Sequence, residues 1–186
     1  FLEETKMVQS TIQRSKSDWH VLIEFGYNNS SVEQDVYEAL DELCNKNIIS
    51  HVVLGDTETK ARKLWKMRED IPEANRKIGA ITSHDIALPL ENMESFINKS
   101  LIEIKEINKF LRVNCFGHMG DGNLHFNIFP PREEKSSSYV KIKSKLTKVI
   151  NNNCKSLGGS FSAEHGVGRL KVNDLKQYCD LSLIHI

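Results

Sequence analysis

The stretch Gly117-His118-Met119-Gly120-Asp121-Gly122-Asn123-Leu124-His125 constrains this chain more than any other. Asp-Gly is a strong signal for a two-residue hairpin loop, so the flanking residues are expected to form two antiparallel strands. With Asp121-Gly122 as the loop, residue 120 pairs with 123, 119 with 124 and 118 with 125. His118 and His125 then stand directly opposite, and such partners have Cβ atoms roughly 5 Å apart. Alternation sends Phe116, His118, His125 and Asn127 to one face, and Gly117 and Phe126 to the other. Two imidazoles at that separation could share one ion. They could equally be a polar pair satisfied by hydrogen bonds.

The rest of the pattern supplies a frame for that hairpin. His20 to Phe25 and Ile48 to Leu54 read as strands, the second being apolar and β-branched. Between them Val32, Val36, Leu40 and Leu43 recur at helical spacing, after a capping serine at position 30 or 31. A charged helix is expected from about Thr59 to Glu69, with room to continue past Pro72. Ile81 to Leu88 alternates as a strand. Met93, Ile97, Leu101, Ile104 and Asn108 mark one stripe of a further helix. Val113 to Gly117 and Leu124 to Phe129 are the hairpin arms, and a last helix runs from Ser136–Ser138 through Cys154. The order β-α-β-α-β-α-β-β-α suggests two ferredoxin-like halves, in an α+β fold with an antiparallel sheet.

Bulk properties exclude several functions. The 186 residues suffice for a domain with a sizeable core. With 25 Lys+Arg against 25 Asp+Glu the formal charge is zero, which argues against a nucleic-acid partner or a polybasic membrane surface. No apolar run approaches the roughly 20 residues of a spanning helix. Cys44, Cys115, Cys154 and Cys179 form no Cys-x-x-Cys pair, so a thiolate zinc site is not expected. Their usage fits a reducing compartment and a cytoplasmic location, with peripheral membrane association left open. There is no Gly-x-Gly-x-x-Gly after a first strand and no Walker sequence, so nucleotide binding has no support within this segment.

Other polar residues compete for the same chemistry. Glu164-His165 follows a Gly/Ser-rich loop and precedes Gly166-Val167-Gly168. Adjacent residues on an extended chain point apart, so Glu164 could complete a two-histidine, one-carboxylate set while His165 faces a ligand. Such a set with an open position suits zinc, Fe(II) or Mn(II). The plainer reading makes Glu164 an acid at a helix start. Arg68 is a natural bidentate partner for a carboxylate, or else a surface ion-pair residue with Glu73. Trp65 is expected in a core, and His84-Asp85 as a polar pair at a strand edge.

Taken together, "CFGHMGDGNLHFNIF" and "GGSFSAEHGVGRLK", with "LWKMRED" and "SHDIALPLENM" at the expected intervals, resemble the C-terminal domain of FAD-linked oxidases. These are D-2-hydroxyacid dehydrogenases of the vanillyl-alcohol-oxidase superfamily. They include cytochrome-type D-lactate dehydrogenase, D-2-hydroxyglutarate dehydrogenase and the glycolate oxidase flavoprotein subunit. The resemblance runs from about His20 to Leu181. It implies that His118, His125 and Glu164 bind a divalent metal, zinc or manganese, and that His165 is a general base. It implies that Arg68 and Asn127 contact substrate. FAD would sit mostly in an upstream domain, and electrons would pass to a quinone or an electron-transfer protein.

Residues 1–181 are therefore expected to be one such domain, truncated at both ends, with 182–186 a non-native tail. The chain departs from the hydroxyglutarate enzymes at two positions, where a carboxylate-holding Thr and Lys are replaced by Pro72 and Ser83. The glycolate oxidase subunit has a proline where this chain has Asn127, which places the chain nearer the hydroxyglutarate and lactate group. The expected function is oxidation of a D-2-hydroxyacid to the 2-oxoacid, with this segment alone inactive. The alternatives are a stand-alone metal- or ligand-binding module, and a non-haem Fe(II) oxygenase, whose jelly-roll strand density is missing.

Overall fold

A computed structural model describes residues 1–7, 17, 19–26, 30–169 and 171–178. Cys179 and the segment 182–186 lie outside them. The chain divides into two compact units, Phe1–Lys77 and Ile78–Ile186.

The first unit carries helix α1, Ser30–Asn45, and most of α2, Glu58–Ile78. In α1 the apolar stripe holds: Val36, Leu40 and Leu43 are half-buried, while Val32 is exposed. Helix α2 continues through Pro72, and Lys66–Asp70 and Arg76–Glu73 pairs run along its surface. The two strands expected here are absent: residues 20–26 and 51–56 are assigned no regular structure and have no ladder partners among the described residues. Val21, Ile23 and Phe25 in the first run, and Ile48, Val53 and Leu54 in the second, are exposed. Strand propensity measures the fit of a side chain to a packed sheet face, and these runs meet no such face among the described residues of their unit. Trp65, expected in a core, is also exposed.

The second unit is a β-α-β-β-α arrangement. It comprises β1 (Thr82–Ala87), α3 (Met93–Ile107), β2 (Arg112–His118), β3 (Asn123–Phe129) and α4 (Val140–Ser156), with the short helix α5 (Val172–Tyr178) beyond. The sheet is antiparallel with order β1-β3-β2. That order matches one ferredoxin-like half, not two. A fourth strand on the free edge of β1 is reduced to a single bridge, Ala87 with Ser160.

One face of the sheet is core. Ile86, Leu124, Phe126 and Ile128 pack against Phe96, Ile97 and Ile104 of α3 and against Leu146, Ile150 and Cys154 of α4. Phe96 meets Phe126 edge to face at 5.6 Å, and each such fully buried side chain stabilises by about 1.5–3 kcal/mol. Between the helices Asn153 Nδ2 donates to Ser100 Oγ at 3.2 Å. With helices covering one face, the opposite face of the same three strands is left to present polar groups.

Candidate metal centre

The hairpin register differs from the sequence expectation. Phe116 pairs with His125, Gly117 with Leu124 and His118 with Asn123. The connection is therefore four residues, Met119 to Gly122, with a short 3-10 turn over Met119–Asp121. Asp121 Oδ1 accepts the Asn123 N–H at 3.1 Å. Gly122 sits at φ +73°, and a Cβ there would lie 2.0 Å from the Leu88 carbonyl oxygen. Leu88 N–H in turn donates to the Gly122 carbonyl at 3.0 Å. The loop is thus held by a residue after β1, a contact the hairpin sequence alone does not contain. The slip is two residues, and side chains alternate with period two, so both histidines stay on one face as diagonal neighbours.

Register across all three strands lays out that face in rows. Ser83, Asn127 and Asn114 form one row; Asp85, His125 and Phe116 the next; Ala87, Asn123 and His118 the third. Phe116 lies against His125, ring centroids 4.9 Å apart. Above the sheet comes the turn holding Glu164 and His165. Gly166 follows at φ +65°, in the left-handed region that favours glycine. This is a turn rather than an extended run, so two adjacent side chains reach the same place. The Glu164 carboxylate spans the histidines: Oε1 is 3.8 Å from His118 Nε2, and Oε2 is 3.7 Å from His125 Nε2. The His165 ring is 6.0 Å from that of His125.

Both Glu164 separations are too long for hydrogen bonds. They are close to the ~3.4 Å expected between two ligands of one tetrahedral cation at ~2.1 Å. Two imidazoles and one carboxylate, half exposed at Glu164 and His118, are donor types that suit a divalent cation. Among the described residues, the group whose donor atoms all lie within 4.8 Å of one another is Asp85, His125 and Glu164, and His118 adjoins it through Glu164. Asp85 is already committed, however. Its Oδ1 accepts from Asn123 Nδ2 at 2.8 Å, and its Oδ2 accepts the His165 backbone N–H at 2.9 Å. Oδ1 is also 3.6 Å from His125 Nδ1, the nitrogen turned away from Glu164. Burial alone would raise the Asp85 carboxyl. The His165 N–H, the Asn123 amide and the charges of His125 and His165 outweigh it, and hold the group below the ordinary carboxylate range.

The family of FAD linked oxidases, C-terminal domain, has a model that matches residues 3–185. The chain belongs to this family. It is 36% identical over 190 residues to a Schizosaccharomyces pombe protein provisionally named as a mitochondrial D-lactate dehydrogenase, covering 95% of this chain and 35% of that one. It is 28% identical over 157 residues to the D-2-hydroxyglutarate dehydrogenase of Xanthomonas citri pv. viticola, covering 84% and 33%. It is 29% identical over 163 residues to the mitochondrial D-2-hydroxyglutarate dehydrogenase of Arabidopsis thaliana, covering 87% and 28%. The chain spans about a third of the length of these curated relatives.

In this FAD-linked oxidase domain the second unit brings together His118, His125, Glu164, His165 and Asn127. Asn127 is buried one row from His125. Arg68 belongs to α2 and is half-buried, while the Glu73 carboxylate is held by Arg76 through two bonds of 2.7 Å. Sequence reasoning missed the work of Asp85 and Asn123. Alternation places Asp85 opposite Ile86 and so on the polar face, but only the β1–β3 pairing shows that it meets His125. No described helix is long and apolar enough to cross a membrane.

Proposed function

We propose that this chain is the metal- and substrate-binding part of a FAD-dependent D-2-hydroxyacid dehydrogenase. The observation that carries the reading is the Glu164 carboxylate set between His118 Nε2 and His125 Nε2, within a chain of this family. His118, His125 and Glu164 would hold the divalent cation, zinc or manganese. When bound, the cation supplies Lewis acidity at the substrate hydroxyl. FAD, held largely by the rest of a longer protein, supplies the acceptor for the hydride leaving Cα.

This chain's residues do the remaining work. His165, adjacent in sequence to Glu164 and near His125 in space, takes the hydroxyl proton on its imidazole, a task suited to neutral pH. Arg68 neutralises and orients the substrate carboxylate, and Asn127 donates or accepts one further hydrogen bond. Of the two substrate types named for relatives, we infer the lactate type. The row beside His125 is Ser83, Asn127 and Asn114, all neutral, and Arg112, the next residue of β2 on the same face, donates its Nε–H to the Pro130 carbonyl. The names of two relatives favour a mitochondrial compartment for the longer protein over the cytoplasmic one, and a quinone or an electron-transfer protein would take the electrons.

The test has two stages. The chain should bind about one zinc or manganese per molecule, and the longer flavoprotein should oxidise D-lactate with a higher kcat/KM than D-2-hydroxyglutarate. Turnover of neither acid would remove the dehydrogenase reading. A preference for hydroxyglutarate would remove only the assignment of the neutral row.

A further inference from the structure

We infer that Asp85 is the positioning residue of this site, holding the 163–165 turn against β1, without itself binding the ion. The inference rests on the reading of His118, His125 and Glu164 as metal ligands. Asp85 stands directly opposite His125 in the β1–β3 ladder. Its carboxylate is buried, with a side-chain exposure of 9%. Each oxygen has an assigned donor: Asn123 Nδ2 on Oδ1 and the His165 N–H on Oδ2. Its backbone joins in, because the Ala163 N–H donates to the Asp85 carbonyl at 3.2 Å. Side chain and main chain of one residue therefore anchor the turn that presents Glu164 and His165.

The same carboxylate faces His125 Nδ1 at 3.6 Å. Carboxylate oxygens therefore flank both ring nitrogens, Asp85 Oδ1 at Nδ1 and Glu164 Oε2 at 3.7 Å from Nε2, and the pair constrains the ring's orientation. Metal-bound histidines commonly carry such an outer carboxylate, which helps to orient the ring. Phe116, tilted 34° against the His125 ring at 4.9 Å, restricts the ring further. Asparagine at position 85 would keep the shape of the side chain and exchange one acceptor oxygen for a donor NH2. That group would confront either the His165 N–H or the Asn123 NH2, and the anionic partner of Nδ1 would be gone.

Two measurements on the 186-residue chain test this. In the metal-free wild type, amide hydrogen exchange should show the His165 N–H protected. An unprotected His165 N–H would overturn the proposal whether or not any variant folds. In zinc titrations, Asp85→Asn should still bind one ion at saturation, with affinity about 10–100-fold lower, and its His165 N–H should lose protection. Wild-type affinity with unchanged protection would overturn the positioning role. Loss of stoichiometric binding in a folded Asp85→Asn would make Asp85 a ligand and overturn it as well. A wild-type chain that binds no zinc would remove the metal reading itself, a result distinct from either of these.

Discussion

At the scale of single residues, the candidate site separates groups that hold from groups that react. His118 and Glu164 are half exposed, at 52% and 46%, and His125 is mostly covered at 17%. His165→Ala in the longer flavoprotein should therefore cut turnover while leaving bound metal unchanged, as judged by elemental analysis beside a rate assay. Normal turnover would remove its role as base. His84, next to Asp85, shows the opposite case of a buried imidazole on the core face. Burial, and then the charge of Lys171, push its pKa down to about 3. The unfolded chain takes up that proton near pH 6.5, so the native state loses stability as pH falls below ~6.5, by up to roughly 1.4 kcal/mol per pH unit. In the metal-free chain His84→Leu should flatten that acid limb relative to wild type in denaturant titrations from pH 7 to 4. An identical acid limb in the variant would show that His84 titrates normally. Cys115 and Cys154, pushed up to about 12 by burial, are inert thiols at neutral pH.

At the scale of elements, the helices and the hairpin were legible because periodicity and an Asp-Gly turn are local signals. The register was not. Choosing a four-residue connection over a two-residue one depends on the Asp121 side chain accepting the Asn123 N–H, and on Leu88 gripping Gly122. The second of these is a tertiary contact. The site survived the error because a two-residue slip preserves the face. Asp85 was not legible for a related reason: the β1–β3 pairing joins segments about forty positions apart, and local pattern carries no record of it. Two substitutions probe these elements. Gly122→Ala, with φ +73° and the Leu88 carbonyl in the way, should destabilise by more than about 1 kcal/mol. Phe126→Ala, which empties the centre of the core, should cost about 3–5 kcal/mol. Thermal or denaturant unfolding reads both, and near-wild-type stability in either would contradict the packing described.

At the scale of the whole molecule, all of the proposed metal ligands lie in the second unit, Ile78–Ile186, and the proposed substrate arginine lies in the first. The two functions should come apart on mutation. Arg68→Ala should leave zinc affinity unchanged and raise the KM for a hydroxyacid in the longer flavoprotein. The apolar runs at 20–25 and 48–54 were read as strands from composition, and they would need a packing surface to become strands. This is why the expectation of two ferredoxin-like halves gave way to one. Residue pattern can report that a segment is suited to a sheet. It does not report whether a neighbouring strand is present.

Whether His118, His125 and Glu164 hold one divalent ion, as proposed, is decided by the zinc and manganese stoichiometry and affinity of the chain. Wild type, Glu164→Gln and the His118→Ala/His125→Ala double variant would be compared, with circular dichroism confirming that each is folded. The expected result is about one ion per wild-type chain, weakened by more than ~100-fold in Glu164→Gln and abolished in the double variant. Those losses would exceed the ~10–100-fold typical of outer-shell changes. A folded wild-type chain that takes up neither metal, or a double variant that binds as well as wild type, would contradict the claim.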